Sequence, residues 1–279
     1  MIAKCQPVVQ SCVNLFKEIG LKILLKLLGI IVGFVLLLVA FVLLTLRPNL
    51  PEETFILQPA AMIGDKHVLV FGATGKLGIE IVADLTARGD KVTAFVRETS
   101  DRSALEPLGV GFVVGDAIDS DSVLAAFKAG EYDAVVTAIA GMRATTVPDY
   151  VGNANVFDAA EATGVNRVIM ISTVGAGDSY DAAPLISRFA LSSVIPLKTQ
   201  AEDHLKAAGL DYTIVRPGGL PPRGGTGYGI LSEDSTTMGF IARADLARLV
   251  VGILDDDRTV GKTLAAVDPT LERPWDSGN

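Results

Sequence analysis

The stretch His67-Val-Leu-Val-Phe-Gly72-Ala-Thr-Gly75-Lys-Leu-Gly78-Ile-Glu-Ile-Val-Ala-Asp-Leu-Thr-Ala-Arg-Gly89 decides the fold. Its first five residues are a continuous apolar run of β-formers, which suits a strand buried on both faces. After Gly78 the apolar residues return at helical spacing and the run ends on a glycine, the pattern of an amphipathic helix. Three glycines lie between, each with a physical use. Gly72 permits a tight strand-to-helix turn, Gly75 lets the backbone approach a ligand closely, and Gly78 lets helix and strand pack together. A helix that starts there points free N–H groups and its positive dipole end at whatever the loop holds, so the ligand expected is an anion, a pyrophosphate above all. A glycine pattern alone is weak; the strand before it and the helix after it give it the required context.

Outward from this loop, β-rich runs alternate with helical ones. Strands are predicted at 67–71, 91–96, 111–114, 134–138, 167–172, 212–216 and 263–267, and helices near 76–88, 119–129, 149–163, 199–208 and 244–254. The order implies an α/β domain of Rossmann type, a doubly wound parallel sheet with right-handed crossovers, over residues 66–270. The 279 residues allow one such domain and an anchor, with no second large domain.

The anchor is predicted from Leu27 to Leu46, an uncharged run of 20 residues, about the number a transmembrane helix needs. A cleavable signal peptide is the rival reading, but the run is long for one and Arg47-Pro48-Asn49 follows it without a small-residue cleavage pattern. Residues 1–26 read as a basic amphipathic lead-in that lies on anionic lipid, with Lys17, Lys22 and Lys26 among Phe16, Leu21, Ile23 and Leu24. Residues 47–65, with Pro48, Pro51 and Pro59, read as an extended linker, and residues 271–279 as a disordered tail.

Charge divides the chain in the same way. Residues 1–47 carry five Lys or Arg against one Glu, while residues 48–279 carry nineteen against thirty-one acids, so the anchor is at +4 and the rest at -12. An acidic domain of this kind lacks the footprint that neutralises phosphates, which excludes nucleic acid as a partner. Cys5 and Cys12 precede the span, and His67 and His204 are far apart, so neither a disulfide framework nor a metal site is predicted. The lysines before the span favour an N-terminus in the cytoplasm, which would place the domain across the membrane. A dinucleotide site needs a compartment that holds the dinucleotide. That requirement is given precedence, and the domain is expected on the cytoplasmic side.

The end of the second strand selects the cofactor. Domains that choose NAD commonly carry an acidic residue about 20 residues past the loop, to hold the ribose hydroxyls. Here the strand ends Val96-Arg97, followed by Thr99, Ser100 and Arg102. A guanidinium grips a 2′-phosphate in a bidentate way, so NADP(H) is expected over NAD(H). Asp116, after the third strand, is placed to accept from an adenine amine or to cap a turn.

The loop GATGKLG, the pairs Val96-Arg97 and Gly115-Asp116, and the run from Lys198 through Glu202 to Arg216-Pro217-Gly218-Gly219 together resemble the atypical short-chain dehydrogenase/reductase family. Within it the likeness is to the NmrA-like NAD(P)H-binding group, which includes the biliverdin/flavin reductase B type and the NADP-binding component of the chloroplast translocon. The resemblance covers about Lys66 to Asp268. It implies that Gly72, Thr74, Gly75, Lys76, Leu77 and Gly78 hold the pyrophosphate, Arg97 the 2′-phosphate, and that Asp116 faces adenine. It also implies that Ala138, Ile139, Ala140 and Gly141 pass beside the nicotinamide ribose, with Ser172 and Thr173 near the nicotinamide. Lys198 would reach the ribose hydroxyls, and Pro217, Gly218, Gly219 and Leu220 would border the nicotinamide pocket. Ser172, Thr173 and Lys198 are the catalytic candidates.

One departure bears on activity. Ordinary members of that family carry a tyrosine one helical turn before the lysine, where the ammonium lowers its pKa and makes it a general acid or base. That position is Val194 here. Tyr150 and Tyr180 are the nearest alternatives in chain order. An acceptor that needs no strong protein acid is therefore expected, a flavin, a quinone or a similar small molecule. The alternative is a non-catalytic NADP(H)-sensing scaffold or assembly factor that docks on a membrane complex. A sugar-nucleotide epimerase or dehydratase would want the tyrosine and a larger C-terminal part. The glycines of Leu220–Tyr228 suggest a mobile flap over the site, and Arg243 with Asp245 reads as a charge pair at a helix start.

Overall fold

The computed structural model describes residues 6–45, 47–58, 64–141 and 148–271, with side chains of the first helix described over 22–41. The chain divides into two compact units, Met1–Leu46 and Arg47–Asn279. The first is one unbroken helix, α1 (Gln6–Thr45), so the lead-in and the apolar run belong to a single element. Its window Lys22–Phe41 is long and apolar enough to cross a membrane, with a mean hydropathy of 2.9 and none of it buried.

The second unit is an α/β domain of Rossmann type. In chain order it contains β1 (His67–Phe71), α2 (Lys76–Arg88), β2 (Lys91–Val96), β3 (Gly111–Val114), α3 (Ser120–Lys128), β4 (Ala134–Thr137), α4 (Val151–Thr163) and β5 (Arg167–Ile171). It continues with α5 (Leu185–Ala190), α6 (Ile195–Ala207), β6 (Asp211–Pro217), β7 (Ile230–Ser232), α7 (Arg243–Ile253) and β8 (Lys262–Val267). The strands run in the order β3-β2-β1-β4-β5-β6-β8-β7, all parallel except β7, which pairs antiparallel with β8. Order reverses between β1 and β4, and the crevice above that switch point is where ligands of doubly wound sheets sit.

Strand alternation explains both layers. Val68 and Val70 point to one face, where they pack with Ile81, Val82 and Leu85 of α2 and with Leu246 and Val250 of α7. Leu69 and Phe71 point to the other, among Phe127 of α3, Phe157 of α4 and Leu205 of α6. Both sets are fully or almost fully buried, which is why the strand reads as one apolar run instead of alternating with polar residues.

Three features differ from the sequence expectation. β7 and α5 were not predicted; a strand of three residues and a helix of six offer too few residues for a period to show. α6 begins at Ile195, not Thr199, because Pro196 in its first turn fits a helix start and gives up an N–H that has no partner there. The linker is not a free tether. Asn49 and Met238 exchange backbone hydrogen bonds of 2.7 and 2.8 Å, Phe55 N donates to Leu231 O at 2.7 Å, and Gln58 N donates to Asp256 Oδ2 at 2.9 Å. Phe55 and Leu57 pack on the core. β7 leaves an open outer edge, and this segment covers it. The α/β unit therefore starts at Arg47.

Candidate dinucleotide site

The phosphate loop sits on the carboxyl end of β1. Gly72 has φ +74°, and a Cβ there would stand 2.6 Å from the carbonyl oxygen of Ala138, so no other residue fits this turn against the end of β4. A Cβ on the buried Gly78 would collide with the carbonyl of Gly72. Gly75 caps α2 in an extended conformation, and no side chain caps the helix. The first amides of α2 are thus left for a ligand. Thr74 and Leu77 are half-buried, and Lys76 is exposed with no ion pair among the described residues.

Two more sequence candidates lie at the same edge. The register Phe71↔Phe95 brings Arg97 just beyond the loop. Its amide donates to Ser100 Oγ at 3.2 Å, while its exposed guanidinium makes no ion pair among the described residues. Asp116 is exposed; Oδ1 accepts from Ile118 N at 3.2 Å, the turn use of the residue, and Oδ2 has no partner among the described residues. The phosphate cradle and the flanking cations fit a dinucleotide.

At the ends of β4 and β5 lies the lysine of α6. Lys198 is 3% exposed. Its ammonium donates to Ile139 O at 2.7 Å and Ile171 O at 3.0 Å, and pairs with Asp149 Oδ1 at 3.4 Å. Two backbone carbonyls take two of its protons and the Asp149 carboxylate balances its charge, so the side chain ties the ends of β4 and β5 together. Burial lowers its pKa, against the pull of the carboxylates of Asp149 and Glu202. Asp149, fully buried, also accepts from Gly141 N at 3.0 Å, and Asn153 bridges Thr137 Oγ1 to the Asp149 carbonyl. Ala138, Ile139, Ala140 and Gly141 thus leave β4 on a braced path; residues 142–147 lie outside the described residues.

At the carboxyl ends of β5 and β6 lies a buried ionic cluster. Glu202, one turn after Lys198 on α6, is fully buried and receives Ser172 Oγ at 2.5 Å, Arg216 Nε at 3.0 Å and Arg216 Nη2 at 2.6 Å. Arg216 reaches out to Asp178 at 2.5 Å. Burial works against its charge, yet Glu202 and Asp178 hold its pKa above the ordinary value. Ser172 is thereby committed to Glu202, and Thr173 Oγ1 donates to the carbonyl of Val174 at 3.1 Å. Pro217 is buried, and Gly218 and Gly219 pass so close to Gly239 and Phe240 that side chains would not fit. Asp149 and Glu202 are the site residues that sequence reading missed. Glu202 had a signal, its spacing of four from Lys198.

Both alternative tyrosines pack against other side chains. The Tyr150 ring centre lies 6.2 Å from that of His204, and Tyr180 lies beneath the Arg188 guanidinium at 5.0 Å. Val194 is buried, its carbonyl accepting from Lys198 N. The segment predicted as a mobile flap is pinned: Thr226 N and Gly227 N donate to Asp245 at 2.6 and 2.8 Å, and Thr226 Oγ1 donates to Asp268. Asp245 pairs with Arg248 at 3.0 Å and not with Arg243, whose Nη1 donates to Pro221 O. An open groove bordered by His67, Thr93, Phe112 and Tyr132 lies at the amino-terminal edge of β1 to β3, across the sheet from all of this. It is at the wrong end for a doubly wound site.

Residues 72–257 match the NAD(P)H-binding family. The chain belongs to it, as an atypical short-chain dehydrogenase/reductase of the NmrA-like group. Among relatives of this NAD(P)H-binding chain is the uncharacterized sugar epimerase YhfK of Bacillus subtilis, 32% identical over 69% of this chain and 89% of the relative. Another is the chloroplastic protein TIC 62 of Pisum sativum, 32% identical over 56% of this chain and 33% of its own length. Among solved structures, ChuY of Escherichia coli O157:H7, described as an anaerobillin reductase, superposes with a TM-score of 0.68 at 28% identity, over 74% of this chain and 99% of ChuY.

Proposed function

We propose that this NAD(P)H-binding protein is a membrane-anchored, NADP(H)-dependent reductase of a flavin, a quinone or a similar acceptor that needs no protein acid. The observation that carries the reading is the buried Val194 at the usual tyrosine position, one turn before a Lys198 whose ammonium donates to the carbonyls of Ile139 and Ile171 and pairs with Asp149. A reduced nicotinamide dinucleotide supplies the hydride, and protons come from solvent. The chain's own residues do the rest. Gly72, Thr74, Gly75, Lys76, Leu77 and Gly78 would bind the pyrophosphate and Arg97 the 2′-phosphate, while Lys198 and Asp149 fix the backbone from Ala138 to Gly141 that borders the reacting end. Pro217 to Gly219 would wall the pocket and exclude water.

The same buried Lys198, tied to the backbone at the ends of β4 and β5, favours a second reading, an NADP(H)-sensing scaffold or assembly factor that binds without turnover. Anaerobic oxidation of NADPH by the full chain in detergent, with flavin and quinone acceptors, separates the two. Saturable turnover is expected; tight binding with no turnover on any acceptor would favour the scaffold. We place the domain on the cytoplasmic side, since it needs the dinucleotide. Reporter fusions at the C-terminus should be active only in the cytoplasm, and activity on the far side would overturn that orientation.

A further inference from the structure

Around α5 four large apolar side chains stand in solvent within ten residues: Tyr180, Leu185, Ile186 and Phe189, at 51, 57, 49 and 86% exposure. Single exposed apolar residues are ordinary, but a contiguous group marks a surface that something else covers. Its place in the fold says what. Ala182 and Ala183, just before α5, pack with Val174 and Met238 in one small cluster. Met238 is also the residue that pairs with Asn49. The patch therefore adjoins the point where the chain coming from α1 joins the domain.

Chain length then limits the geometry. α1 ends at Thr45 and Asn49 is already bonded to Met238, four Cα steps later. Those steps reach at most roughly 14 Å. If α1 spans a bilayer, Met238 is held within the thickness of the headgroup layer and its surroundings, and the patch with it. Arg188 at the patch rim, over the Tyr180 ring, suits that boundary, where aromatic and cationic side chains gather.

We propose that Tyr180, Leu185, Ile186 and Phe189 dock into the lipid surface of the membrane that holds α1. Val174, which joins the patch cluster, donates its N–H to Pro217 O, so the ends of β5 and β6 lie directly behind the docked surface. The nicotinamide end of the site thus faces the lipid, and the acceptor class is a lipid-soluble one, drawn laterally from the bilayer, such as a tailed quinone. This rests on the membrane-anchored reading above.

The test uses the full chain in vesicles of phosphatidylcholine and phosphatidylglycerol, in a Trp275→Phe background, with a single indole from Phe189→Trp or, at the opposite edge of the sheet, from Glu131→Trp. With brominated phosphatidylcholine, the Phe189→Trp protein should lose most of its emission and the Glu131→Trp protein almost none. Retention through a carbonate wash without that quenching overturns the docked patch and leaves the anchor standing, whereas release by carbonate overturns anchor and patch together. An indole shielded from lipid but blue-shifted as protein density rises would mean that a second copy covers the patch, and would overturn the proposal.

Discussion

Glu202→Ala is expected to cost about 3–5 kcal/mol of stability, because it leaves the Arg216 guanidinium buried without its main counter-charge. Arg216 is 2% exposed and Glu202 0%, so water cannot replace the lost partner. Asp178 would remain, but it lies at the surface end of the cluster, with its side chain 71% exposed. In a domain of this size that loss lowers the midpoint of thermal unfolding by roughly 10 °C. The same substitution made in an Arg216→Met background should cost much less, since the two residues are one interacting unit. A loss no larger than that from Asp203→Ala, an exposed neighbour on α6, would show that the cluster contributes little.

Arg97→Ala is expected to weaken NADPH binding by roughly 10- to 100-fold, the loss of a charge-assisted bidentate contact of about 1.5–3 kcal/mol. NADH has no 2′-phosphate and should bind the variant as it binds the parent chain. The guanidinium is exposed and makes no ion pair among the described residues, so its removal should leave stability almost unchanged. Titration of both dinucleotides checks this. Equal losses for the two would sink the assignment of Arg97 to the 2′-phosphate.

The sequence made the frame of the domain legible wherever one residue type had one job. The strand HVLVF, the glycines at 72, 75 and 78, and the helix to Arg88 were read with the bounds the structure has, since positive φ and close packing admit few substitutes. Long-range pairing was not legible. Nothing local in Asn49, Phe55 or Gln58 says that they bond to Met238, Leu231 and Asp256, and a segment rich in proline reads as a tether unless its partners are known. The site divided along the same line. Glycines declared themselves through their backbones, whereas Lys198 could be placed on a helix but not aimed. Its direction is set by Ile139, Ile171 and Asp149, which come from the segment after β4, the end of β5 and the segment before α4. The pinning of Thr226 was hidden for the same reason: glycine content suggested freedom, and two buried carboxylates 19 and 42 residues away removed it.

The outer seam also bears on how the protein is made. Residues 49 to 58 come off the ribosome immediately behind α1, yet their partners on the domain are as much as 198 positions further along, at Asp256. The seam cannot close while most of the domain is still to be synthesised. During that interval α1 has already emerged, and the backbone of the linker remains free to rotate. Completing β7, α7 and β8 ends that freedom, so the last elements of the domain to be synthesised are the ones that fix its first folded residues in place.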